Sequence, residues 1–143
     1  MSSKPDSNIQ YGAVPYRRRA DGVIEVMLLT SRDTGRWVIP KGWPVPGLSP
    51  HDSAAREAVE EAGLVGRIDD RPIGFYRYDK RLADGSVVCC KVETFVLEVE
   101  EQLPSWREQH QRRTEWFTLQ AAADAVQEPE LSALILSMAA PSA

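Results

Sequence analysis

Three glutamates, Glu57, Glu60 and Glu61, stand three and four residues apart. At ~100° per residue, a helix gathers them within an arc of roughly 100° on one face. Carboxylates so close repel one another and cost stability unless something cationic lies among them. Hard oxygen donors suit Mg²⁺ or Mn²⁺. The chemistry on offer is therefore that of a divalent-cation site, and the plain alternative is a solvated acidic helix face.

The elements needed to position these acids are well punctuated. Trp37-Val38-Ile39 reads as a brief strand stopped by Pro40, and a loop with Gly42, Pro44, Pro46 and Gly47 follows. Ser49 has the character of an N-cap, with Pro50 at the first helical position and Asp52 at the third. Gly63 closes the helix just past its last turn. Ala55, Ala58, Val59 and Ala62 fall opposite the acids, a small-residue face suited to lying close on a sheet.

The chain around this segment is that of an ordinary domain. Its 143 residues suffice for a real core. The formal net charge of −4 argues against nucleic acid as a partner. Arginines nonetheless cluster at Arg17 to Arg19 and at Arg112–Arg113, which favours a small anionic ligand. The only cysteines, Cys89 and Cys90, are adjacent on a strand and point to opposite faces. That excludes a disulfide framework and agrees with a reducing, cytoplasmic setting. The N-terminal segment lacks the apolar stretch of a signal peptide, and no apolar run is long enough to span a membrane.

In order, residues 1–8 read as a flexible tail and 9–143 as a single domain. Ile9 to Arg17 is a strand in which Pro15 suits an edge or a bulge. Asp21-Gly22 turns the chain into Val23 to Thr30, the strongest strand. Pro72 to Tyr78 and Val87 to Val99 form a second hairpin across Asp84-Gly85. The stretch from Gln102 to Gln111 is polar and irregular, with Trp106 exposed. Glu115 to Phe117 is a last strand, Thr118 caps a helix over 119–127, and Pro129 separates it from a final helix carrying Leu131, Leu134, Ile135 and Met138. The pattern is α+β, a mixed sheet with helices on its faces.

Gly42 followed by Arg56-Glu57-Ala58-Val59-Glu60-Glu61-Ala62-Gly63-Leu64 resembles the Nudix box, G-x5-E-x7-R-E-U-x-E-E-x-G-U with U apolar. Six of its seven prescribed polar or glycine positions match in register; the first glutamate is replaced by Leu48. In the family that position steadies the loop and the arginine, and here Asp52 or Glu60, each one turn from Arg56, offers a substitute partner. The resemblance implies a Nudix fold, an α/β/α sandwich with a mixed β-sheet between helices. It also implies hydrolysis of a pyrophosphate bond in an anionic small molecule with Mg²⁺ or Mn²⁺. By carry-over, Glu57 and Glu61 are metal ligands together with the Gly42 carbonyl. Glu60 is the general base or a further ligand, and Arg56 orients the acids. Glu108 and Glu115 are outlying candidates for an extra ligand.

Within the family the chain is most similar to the branch acting on diphosphoinositol polyphosphates and diadenosine polyphosphates. T-S-R before the W-V-I-P strand and R-R-T-E-W-F near the end carry that likeness. It implies phosphate contacts at Ser31, Arg32 and Arg112, with Lys80, Arg81 and Lys41 as further cations. Trp37, Trp43, Trp106 and Trp116 can each stack a base, though core or loop packing suits most of them; Trp43, inside the metal loop, is the foremost candidate. ADP-ribose, NADH, nucleoside triphosphates and RNA 5′ ends are alternative substrates, and a non-catalytic nucleotide-binding sensor is the alternative class. A monomer or a homodimer fits equally.

Overall fold

The computed structural model describes residues 8–139. The expected N-terminal tail lies outside these residues except for Asn8, which leads directly into the first strand. The element order is β1 (Ile9–Arg18), β2 (Ile24–Thr30), β3 (Trp37–Val38), β4 (Lys41–Gly42), α1 (Pro50–Ala62), β5 (Leu64–Ile68), β6 (Gly74–Arg81), β7 (Val87–Gln102), β8 (Thr114–Thr118), α2 (Leu119–Ala125) and α3 (Pro129–Ser137). All eight strands belong to one mixed sheet with the path β3-β2-β1-β7-β5; β4 pairs with β1, β6 with β7 and β8 with β2. The pairing of β1 with β7 is parallel and runs from Ile9↔Lys91 to Tyr16↔Glu98. The other ladders between named strands are antiparallel.

Strand alternation divides the core between two faces. Ala13, Met27, Phe95 and Leu97 pack with Ala54, Ala58 and Ala62 of α1 on one side. Val14, Val26, Leu28, Tyr76 and Val92 pack with Ala122, Leu131 and Ile135 of α2 and α3 on the other. Neighbours such as Ala13 and Val14 thus serve opposite layers, which makes the α/β/α sandwich.

Helix α1 begins and ends as its residues dictate. The Ser49 hydroxyl accepts from the Asp52 N–H at 3.3 Å, and Gly63 adopts φ 68° while its own N–H reaches the Val59 carbonyl at 2.9 Å. Its buried residues, however, are Ser53, Ala54, Ala58, Glu61 and Ala62. Ala55 and Val59 are only partly covered, so the helix is rotated from the orientation expected. It buries Glu61 and a serine whose hydroxyl accepts from the Val45 N–H at 3.1 Å, a partner outside the helix.

Other differences are instructive. β1 is an interior strand, although Pro15 suggests an edge or a bulge. Pro15 falls between the residues paired with β4 (Tyr11, Gly12) and those paired with β2 (Tyr16 to Arg18), where no antiparallel ladder donor is required. β4 and β5 are unanticipated because both are short and glycine-containing, and long-range partners hold them in place. Pro129 does not merely interrupt a helix; it occupies the first turn of α3. Trp106 is not an exposed aromatic but lies against Gly63, with its indole N–H buried.

Candidate active site and metal loop

β4 sets Gly42 beside the middle of α1. A Cβ on Gly42 would fall 2.5 Å from the Glu57 carboxylate carbon, so only glycine lets the loop lie against that acid. One turn on, Glu61 is 6 % exposed. Burial and a hydrogen bond shared with Glu57 push its carboxyl up to about 9. Burial also raises Glu57, and the charges of Glu60 and Glu108 add to the effect. Two carboxylates in so little water do not both ionise readily without more positive charge nearby.

Arginines provide part of it. Arg112, 10 % exposed at its side chain, donates to Glu108 at 2.8 Å and to the Thr30 carbonyl at 3.1 Å, and stands 3.8 Å from Glu61. Glu60 is flanked by Arg56 at 3.7 Å and Arg107 at 3.8 Å. Of the two partners considered for Arg56, Glu60 is therefore the one engaged; Asp52 lies beside His51 instead, at 3.8 Å. The segment from Leu103 to Arg113 acts as a strap over α1. Its Leu103 and Glu108 N–H groups donate to the Gly63 and Glu60 carbonyls at 2.8 Å and 3.0 Å.

Among the described residues, no three His, Cys, Asp or Glu side chains already converge as a metal cage, since each acid is turned to an arginine or to its neighbour. The donor chemistry nevertheless fits a divalent cation. Glu57 and Glu61 are oxygen donors one turn apart, pressed on a glycine backbone, in a place that penalises their unneutralised charge.

Beyond this pair opens a cleft of about 620 Å³. Every phosphate-contact candidate lines it: Ser31, Arg32, Lys41, Lys80, Arg81 and Arg112, with Gly42, Trp43 and Glu61. They come from four separate segments of the chain, joined by the sheet. Arg32 donates to Gln111 at 2.8 Å, linking its loop to the strap. The Lys41 ammonium lies 4.8 Å from the centre of the Tyr78 ring, and burial lowers its pKa while the Glu61 charge opposes that shift. Glu57, Glu60 and Arg56 do not line the cleft; Arg56 faces a separate groove with Leu48. Of the outlying acids, Glu108 reaches the cluster, whereas Glu115 sits on β8 beside Arg113 at 3.8 Å.

Sequence reasoning passed over Arg36, Tyr76, Tyr78 and Glu128, all of which line the cleft, and Arg107. The Glu108-to-Arg112 spacing of four was a usable signal for the strap; nothing local marks Glu128.

The chain matches the NUDIX domain family over residues 9–135. It is 29 % identical over 129 residues to "Nudix hydrolase 13, mitochondrial" of Arabidopsis thaliana, covering 79 % of this chain and 64 % of that protein. It is 30 % identical over 137 residues to "Diphosphoinositol polyphosphate phosphohydrolase 3-alpha" of Mus musculus, covering 89 % and 79 %. A solved Ap4A hydrolase binary complex from C. elegans superposes with a TM-score of 0.66 at 25 % identity, over 91 % of this chain and 93 % of that one. The chain belongs to the NUDIX domain family, and these named relatives are hydrolases. It spans somewhat less than two thirds of the plant relative's length.

Proposed function

We propose that this chain is a divalent-cation-dependent pyrophosphohydrolase acting on a polyphosphorylated small molecule of the diadenosine polyphosphate or diphosphoinositol polyphosphate kind. The observation that carries the reading is one of convergence. The Glu57–Glu61 pair, pressed on Gly42, adjoins a cleft where Arg32, Lys41, Lys80, Arg81 and Arg112 meet. Such a cleft suits dense negative charge, and the acids beside it suit the cation such charge needs.

In this reading Glu57, Glu61 and the Gly42 carbonyl hold Mg²⁺ or Mn²⁺. When bound, the cation neutralises the pyrophosphate and polarises the phosphorus under attack. Glu60 takes the proton of the attacking water at its carboxylate, while Arg56 and Arg107 hold that carboxylate in place. Arg112 anchors Glu61 and Glu108 and turns its remaining charge to the cleft. Ser31, Arg32, Lys41, Lys80 and Arg81 receive the phosphates. In this reading residues 9–143, of which 140–143 lie outside the described residues, belong to one hydrolase domain, a monomer or homodimer, and its two free cysteines suit a reducing compartment such as the cytoplasm. No described helix is long and apolar enough to cross a membrane.

The test is phosphate release from a panel of pyrophosphate compounds with Mg²⁺ or Mn²⁺. Turnover that chelation abolishes is expected. Binding without turnover on every compound would replace the enzyme by a nucleotide sensor.

A further inference from the structure

One wall of the cleft does not fit a surface built only for phosphate. Glu128 stands at the N-cap of α3 yet makes no side-chain capping hydrogen bond. Its side chain is 11 % exposed and turned to the cleft, which it helps to line. Among the described residues, Oε1 is buried with no hydrogen-bond partner. Oε2 lies 3.6 Å from Arg36, beyond hydrogen-bond range, and Arg36 donates instead to Gln127. The Lys41 ammonium feels this charge after those of Glu61 and Arg112.

A buried acceptor without a donor is costly, and a chain rarely leaves one unless something else satisfies it. Here an N-cap position offers free backbone N–H groups within easy reach, and the carboxylate does not use them. A carboxylate in a phosphate cleft also repels any phosphate brought beside it, a form of discrimination that acts by penalising the wrong ligand.

We infer that Glu128 sorts substrates by what they bring to its corner of the cleft: it turns away a phosphate and accepts a hydrogen bond from an uncharged O–H or N–H group. The preferred pyrophosphate substrate then carries a nucleoside-like end there, not a ring phosphorylated at every position. The carboxylate turns its unpartnered oxygen towards that donor as the ligand seats. This inference rests on the pyrophosphate reading of the cleft and narrows it.

Equilibrium titration of the full chain with adenosine 5′-diphosphate and with inositol hexakisphosphate, in wild type, Glu128→Gln, Glu128→Lys and Arg36→Ala, tests the inference. Glu128→Lys is expected to tighten inositol hexakisphosphate at least about tenfold and to weaken the nucleotide, with Glu128→Gln intermediate, since like charges brought together in an interface are strongly unfavourable. Arg36→Ala removes a cation and is expected to weaken both ligands. If the Glu128 variants also weaken both, the residue merely anchors Arg36 and the inference fails. The inosine and 2′,3′-dideoxyadenosine diphosphates, lacking the base amino group and the ribose hydroxyls, show which donor is read; if neither binds more weakly than adenosine diphosphate, the donor half of the inference falls. Wild type binding none of these ligands would remove the pyrophosphate reading itself, an outcome distinct from equal shifts among the variants.

Discussion

The two faces of the sheet are built from different materials. On one, α1 lies on the strands through Ala54, Ala58 and Ala62, all fully buried. On the other, α3 packs through Leu131 and Ile135, and α2 through Ala122 and Ala123, against a layer that includes Tyr76 and Leu28. Small residues bring the α1 axis close and leave little slack, so that Glu57 meets the backbone of Gly42 and Glu61 is drawn beneath the surface. The larger side chains of α3 bury more apolar area each than the alanines of α1, which favours stability. One face trades apolar burial for the placement of charge; the other supplies the cohesion that makes this tolerable.

That contrast can be broken from either side. Leu131→Ala is expected to cost about 2–5 kcal/mol of stability by opening a cavity, while turnover of the folded fraction is unchanged. Chemical denaturation alongside initial rates checks both halves, and a large fall in the intrinsic rate would mean the α3 face also positions the site. Glu60→Gln is expected to show the reverse: a rate lower by at least about 10²-fold, the lower range for losing a general base, with the denaturation midpoint nearly unmoved. A loss of metal affinity alone would make Glu60 a ligand and pass the base role to another acid.

Ala58→Leu probes the close approach itself. Overpacking that face is expected to cost about 1–3 kcal/mol, and here the rate should fall as well, since α1 must lift away from Gly42. An equal loss of stability with an unchanged rate would show that the spacing is not what serves the chemistry. The smallest effect is expected from Ser49→Ala, about 1 kcal/mol for a lost N-cap, visible in the melting temperature and scarcely in the rate.

What could be read from the sequence was local in origin. Ser49, Pro50 and Gly63 punctuate α1 through bonds spanning three or four residues, and the Gly42-to-Gly63 spacing is visible without knowing the fold. The apolar run of β2 and the Asp84-Gly85 turn are equally near-range signals. What escaped depends on distant partners. β4 exists because it pairs with β1, and the strap is ordered by the distant carbonyls of Glu60 and Gly63 on and just after α1. The rotation of α1 is not legible locally: its small side chains suggest one buried face, whereas the hydroxyl of Ser53 and the arginine next to Glu61 let polar groups go inside. Glu128 gave no warning at all: a glutamate before a proline reads as a surface turn until Arg36 and Lys41 are seen around it.

The parallel pairing of β1 with β7 has a consequence in time. Gly42 is held through β4 by β1, and β1 in turn is flanked by a strand that begins at Val87. A nascent chain that has emerged through Leu64 carries every residue of the motif and yet lacks β7, the strand that flanks β1 along its length. Such long-separation contacts are late and slow to form, because chain entropy must be lost before they are rewarded. The order of assembly therefore runs against the order of the sequence: helix α1 can coil early on its own caps, while the geometry joining it to Gly42 waits for the second half of the chain.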